Sequence, residues 1–226
     1  LVRISARLAK KRFIADFDFL GSDARPPCEG RLEMDLSLPG FAELSAVVPY
    51  RVRRRCQISY LMTAPLSGSI GTGYDDYHIS PESGVGFFDI RKAHFGLRTK
   101  MSKMIGLGRI DGRMVSFQLG NPLSNDDARY NDNVLFIEGK AYPLPPVKIT
   151  RPYGVSGEWV IQDTESMVDL VFTPVSDSQR QLSAFIVRTD YHTVYGLYEG
   201  TLLSSDGEKI ELKGFPGIGK KVLLRI

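Results

Sequence analysis

Apolar and polar residues alternate with a period of two along much of this chain, the pattern of strands with one buried face. The cleanest case is LEMDLSL, where Leu32, Met34, Leu36 and Leu38 share one parity and Glu33, Asp35 and Ser37 the other. Arg12 to Leu20 also reads as extended, with Phe13, Phe17 and Phe19 opposite Asp16 and Asp18. Gly21-Ser22-Asp23 and Pro26-Pro27 then mark a loop. Cys56, Ile58, Tyr60 and Met62 alternate with Gln57 and Ser59, predicting a strand that ends near Pro65, after which Gly68, Gly71 and Gly73 punctuate short strands and turns. No helix pattern follows those glycines, so they do not form a phosphate loop.

The densest stretch runs from Asp89 to Asn121. Within it, residues 100–110 and 113–119 are two extended runs separated by Asp111-Gly112, the dipeptide suited to the two positive φ values of a type I′ hairpin turn. In the second run Val115, Phe117 and Leu119 form an apolar face against Met114, Ser116 and Gln118. Gly106 and Gly108 share a parity with Arg98, Lys100, Ser102 and Met104, while Met101, Lys103 and Ile105 face the other way. Two glycines on one face either bend a curved sheet or let a ligand approach the backbone.

Beyond this hairpin, Asn121 to Asn133 is a polar loop, a lid or rim element by its length. Further strands are expected at 134–138, 141–149, 158–163, 167–173, 182–189, 193–204 and 208–213, with tight turns at Glu138-Gly139-Lys140 and Ser205-Asp206-Gly207. Only the amino-terminal LVRISARLAKK is ambiguous between strand and helix. Many short strands joined by local turns predict an all-β, antiparallel meander, and closure into a barrel is the usual way such a sheet removes its edges.

Composition narrows this little. With 226 residues, 42% hydrophobic and 24% charged, the chain can bury a core as one continuous β unit over 1–226. No apolar run reaches the roughly 18 residues needed to cross a bilayer. Membrane association is possible but is not predicted. The start at Leu1, with no basic-then-apolar leader, suggests a trimmed chain, so localisation has only a cytoplasmic default. The net charge of +3 does not call for nucleic acid. The basic run Arg51, Arg53 and Arg55 lacks interleaved aromatics and reads as a solvated edge strand. Cys28 and Cys56 fit neither metal spacing nor a disulfide framework, and the three histidines do not complete one, so no metal or cofactor is expected.

The run HFGLRTKMSKMIGLGRIDGRMVSFQLGN, followed by YNDNVLFIEGKAYPL, EWVI, VDLVFTP and YGLYEGTLLSSDGEKIELKG, resembles the largely bacterial family catalogued as domain of unknown function 2804, from about residue 30 to the end. Arg98, Thr99, Gly106, Gly108, Asp111, Gly112, Leu119 and Gly120 fall where the family motif has the same residue types. Met101 and Lys103 depart from it, since tryptophans are expected there. The resemblance implies a lipocalin-like (calycin) β-barrel architecture, with two barrel-like halves as a variant. It also implies that the chain is the carboxy-terminal two-thirds of a longer protein, and a distant relation to carotenoid hydratases.

Asp89, Arg91, His94, Arg98 and Lys100 form the densest ionisable set, and an acid beside an imidazole can protonate a double bond or position water. The catalytic candidates are thus Asp89 and His94. Arg98, Lys100, Ser102, Gly106 and Gly108, with Tyr130, Asn131 and Asn133 on the loop, are the ligand-binding candidates, Arg98 for an anionic or carbonyl end. Ion pairs at a barrel mouth, and Asx turns in the loop, give the same residues for structural reasons. His78 and His192 read as isolated strand-edge histidines, and Trp159 as a core plug. Two functions follow: a carrier of a hydrophobic small molecule, lipid or isoprenoid-like, or a cofactor-independent hydratase, isomerase or cyclase on such a substrate.

Overall fold

The computed structural model describes residues 1–22, 25–51, 54–184 and 187–225. Asp23 of the first loop, Arg53 of the basic run, and residues 185 and 186 within the expected strand 182–189 lie outside them. The chain is all-β and antiparallel, as the alternation requires, and its strands form one strongly curled half-barrel sheet plus a second sheet.

The six-stranded sheet contains β1 (Val2–Arg7), β2 (Arg12–Phe19), β3 (Cys28–Asp35), β4 (Ala42–Pro49), β5 (Cys56–Gly71) and β6 (Asp76–Ala93). β5 does not stop near Pro65; it runs on to Gly71. Its partners explain why a proline is tolerated. β4 pairs with residues 56–63 and β3 with 66–71, so on that side Pro65 sits in the gap between two partners, while its other side is in register with Val85 of β6. β3 in turn stops at Asp35 although the alternation continues, because Asp35 Oδ1 accepts from Ser37 N at 2.9 Å and closes an Asx turn. Arg51 and Arg55 are not in the expected edge strand but flank the connection from β4 to β5: Tyr50 N donates to Arg55 O at 2.8 Å, and Arg54 has φ 61°.

The nine-stranded sheet contains β7 (Arg98–Ile110), β8 (Arg113–Gly120), β9 (Val134–Ile137), β10 (Lys140–Pro143), β11 (Lys148–Thr150), β12 (Trp159–Gln162), β13 (Val168–Ala184), β14 (Val187–Leu203) and β15 (Lys209–Arg225). Its order is β10-β9-β8-β7-β15-β14-β13-β12-β11. Asp111 and Gly112, at φ 51° and 78°, make the expected turn between β7 and β8.

Leu135 and Ile137 near one edge of this sheet share a single core cluster with Ile149, Trp159 and Ile161 near the other. A flat sheet of nine strands cannot bring those residues together, so the sheet is curled around its own core. Trp159, Phe172, Tyr198 and Phe117 fill its centre, with rings in tilted or edge contact at 4.7–5.6 Å. The six-stranded sheet has a smaller core of its own around Phe13, Met34 and Met62. The two sheets join where Ala42 and Leu61 pack on Val134 and Phe136.

Candidate functional site

The seam between the sheets also holds charge. Asp89 and Arg91 on β6 and Lys103 on β7 project into it, and the loop after β8 adds Asp132. β6 pairs only with β5, and β7 only with β8 and β15, so side chains rather than a backbone ladder join the sheets here. The Arg91 guanidinium bridges both carboxylates, with Nε 2.8 Å from Asp89 Oδ1 and Nη1 2.8 Å from Asp132 Oδ2. Lys103 Nζ pairs with the other oxygen of Asp89. Asp132 Oδ2 further accepts from Gln57 Nε2 at 3.0 Å and Ser59 Oγ at 2.9 Å.

Burial makes this network electrostatically strong, because water screens it little. Burial by itself raises the Asp89 pKa, but Arg91 and Lys103 outweigh it and hold the carboxyl below its ordinary value. Lys103 is pulled down to about 8, first by burial and then by Arg91, against the opposing attraction of Asp89. Tyr50, whose hydroxyl lies 3.5 Å from Gln57 Oε1, is pushed up to about 12, chiefly by burial.

Two polar atoms on this wall are buried without a partner: Arg91 Nη2 and Gln118 Oε1. Gln118 Nε2 donates to Asp132 O at 3.1 Å, which fixes the amide so that the oxygen is the unpaired end. Both residues line a cavity of about 310 Å³. Phe95, Met101, Leu123, Tyr191 and Val222 supply its apolar wall, and Lys220 on β15 lies directly opposite Lys103 in the strand register.

Several sequence candidates are elsewhere. Asp89 and Ser102 line the cavity, but His94 is exposed beyond the end of β6, and Arg98 and Lys100 are exposed on β7. Gly106 and Gly108 do not open onto a cavity: a Cβ on Gly106 would lie 2.3 Å from the Phe117 ring, and one on Gly108 3.0 Å from Phe215. The side of β7 that meets the cavity charge is therefore that of Met101 and Lys103, the opposite parity to the one expected, and these are the two positions that depart from the resembled motif.

Tyr130, Asn131 and Asn133 line a separate cleft beside β4 and β10. Their polar atoms fasten the loop: Asn131 Nδ2 donates to Asp127 O at 3.0 Å, and Asn133 Nδ2 to Pro145 O at 2.8 Å. Asp132 between them carries no local signal of its role, since alternation cannot orient a residue in a loop. His192 is not an isolated strand-edge residue either; it is buried on β14 with Nδ1 2.7 Å from Asp177 and Nε2 3.4 Å from Asp190.

Fold and site together define an antiparallel all-β protein with an ion-paired, partly apolar cavity between two sheets. The chain belongs to the family described as domain of unknown function (DUF2804), matched over residues 7–225. A crystal structure of kievitone hydratase from Nectria haematococca aligns with a TM-score of 0.37 at 10% identity, covering 99% of this chain and 87% of that one. No curated protein matches.

Proposed function

We propose that this protein binds a hydrophobic small molecule, lipid or isoprenoid-like, in the cavity between its two sheets. The observation that carries this reading is a cavity in which the ion-paired side chains of Asp89, Arg91, Lys103 and Asp132 face the apolar Met101, Leu123 and Val222. At about 310 Å³ the cavity is at the small end of the usual range for such sites. Native mass spectrometry of protein purified from its own host tests the reading. A mass increment removed by organic extraction, and lost when Met101→Trp fills the apolar wall, is expected; protein at its bare mass under conditions that preserve folding overturns it.

A second reading, a cofactor-independent hydratase, isomerase or cyclase on such a ligand, is favoured by Lys103, whose pKa of about 8 lies near the range useful for proton transfer. Incubating the extracted molecule with the protein in ¹⁸O-water tests it. Label entering the molecule, and failing to enter with Lys103→Met, supports hydration chemistry; no change in mass or isomer composition leaves only binding.

A further inference from the structure

The charges around the cavity do not cancel. Arg91, Lys103 and Lys220 line it against only two carboxylates, Asp89 and Asp132. Asp89 is shared by Lys103 and Arg91, and Asp132 by Arg91 and two neutral donors. Among the described residues no carboxylate lies within ion-pair reach of Lys220. Lys220 is moreover directly opposite Lys103 across the β7–β15 pair, where like charges repel. From behind, Arg151 Nη1 donates to Ser102 Oγ at 2.9 Å and adds a further cation. A half-buried lysine directly opposite a second lysine, in a cavity lined by three cations and two carboxylates, leaves one positive charge that a single anion neutralises.

We propose that the cavity takes the carboxylate end of an amphipathic monocarboxylic acid, held by Lys220 in the positive field of Arg91 and Lys103, with the apolar chain against Met101, Leu123 and Val222. This rests on the binding reading above and names the ligand class for it. An ammonium gives charge-assisted hydrogen bonds to a carboxylate, and the neighbouring cations add Coulomb attraction.

Isothermal titration calorimetry at neutral pH and low salt, with octanoate, octan-1-ol and octylammonium as probes, tests the inference. Octanoate binds at least about tenfold more tightly than octan-1-ol, as a hydrogen bond to a charged group implies, and octylammonium binds most weakly. Lys220→Met shrinks the octanoate-to-octanol ratio by about tenfold, and Lys220→Arg restores it. Octan-1-ol binding as tightly as octanoate in the parent protein, or an unchanged ratio in Lys220→Met, overturns the carboxylate inference while leaving a greasy cavity intact. If none of the three probes binds, the inference and the binding reading fall together.

Discussion

Lys103 and Asp89 belong to different sheets and meet with about five-sixths of each side chain withdrawn from solvent, at 16% and 15% exposed. Among the described residues no strand pairing accompanies the contact, so the ion pair, with Arg91–Asp132 beside it, links the sheets through side chains. Removing one partner strands the other. Asp89→Asn leaves Lys103 without its carboxylate and should lower stability by about 3 kcal/mol. Asp89→Leu combined with Lys103→Met should lose less than Asp89→Asn alone, since the buried ammonium is gone. Urea unfolding monitored by Trp159 fluorescence reads both.

Acid and alkali should act on this pair in different windows. The folded state holds the Asp89 pKa below its ordinary value of 3.8, so its stabilisation is complete above that value and is lost as pH falls through the folded one. Lys103 behaves oppositely. Between about 8 and 10.5 the unfolded chain keeps a proton that the folded chain has released, so the contribution of Lys103 to stability rises with pH across that interval. Urea midpoints measured across the alkaline range should show this rise in the parent and not in Lys103→Met.

Gly106 should respond as a packing residue. A methyl group there meets the fully buried Phe117 ring, which has no free space to move into. Gly106→Ala should therefore destabilise by about 1–3 kcal/mol. It should leave octanoate affinity, measured well below the unfolding transition, within about twofold of the parent.

Arg98→Ala should change neither stability nor probe affinity measurably, since the side chain is exposed and absent from the cavity wall. A clear loss of octanoate affinity in this variant would return the anion site to the outer end of β7.

Trp159 is wholly buried, donates Nε1–H to Val155 O at 2.8 Å, and lies under Arg151, whose guanidinium carbon is 4.7 Å from the ring centroid. Trp159→Ala should cost about 3–5 kcal/mol in thermal or urea unfolding.

The sequence was most informative where burial follows a strand's own parity. Val115, Phe117 and Leu119 enter the core of the curled sheet as their alternation requires, although Met114, Ser116 and Gln118 on the other parity are buried too, against the seam; Asp111-Gly112 makes the turn its conformational preference dictates. It was least informative where strands leave the core. β13, β14 and β15 each run for 17 residues, more than twice the lengths expected for the first and last. The outer half of β13, Ser176–Ala184, is exposed, so no hydrophobic period marks it, and its hydrogen-bonding partner on β14 decides its conformation instead. The candidate site was legible only in part for a similar reason. Asp89 belongs to a dense ionisable run, whereas Asp132 and Lys220 reach the cavity through a loop and a strand far along the chain, and no local spacing announces that meeting.

On β7, consecutive residues serve opposite masters: Ser102 and Met104 turn toward the aromatic interior of the curled sheet, and Lys103 between them turns toward Asp89. A slip of one residue against β15 would drive the ammonium into that interior and aim an uncharged side chain at the carboxylate. Asp89 and Lys103 thus act as a proofreading device for assembly, penalising the wrong alignment of β7 at the moment the two sheets close on each other.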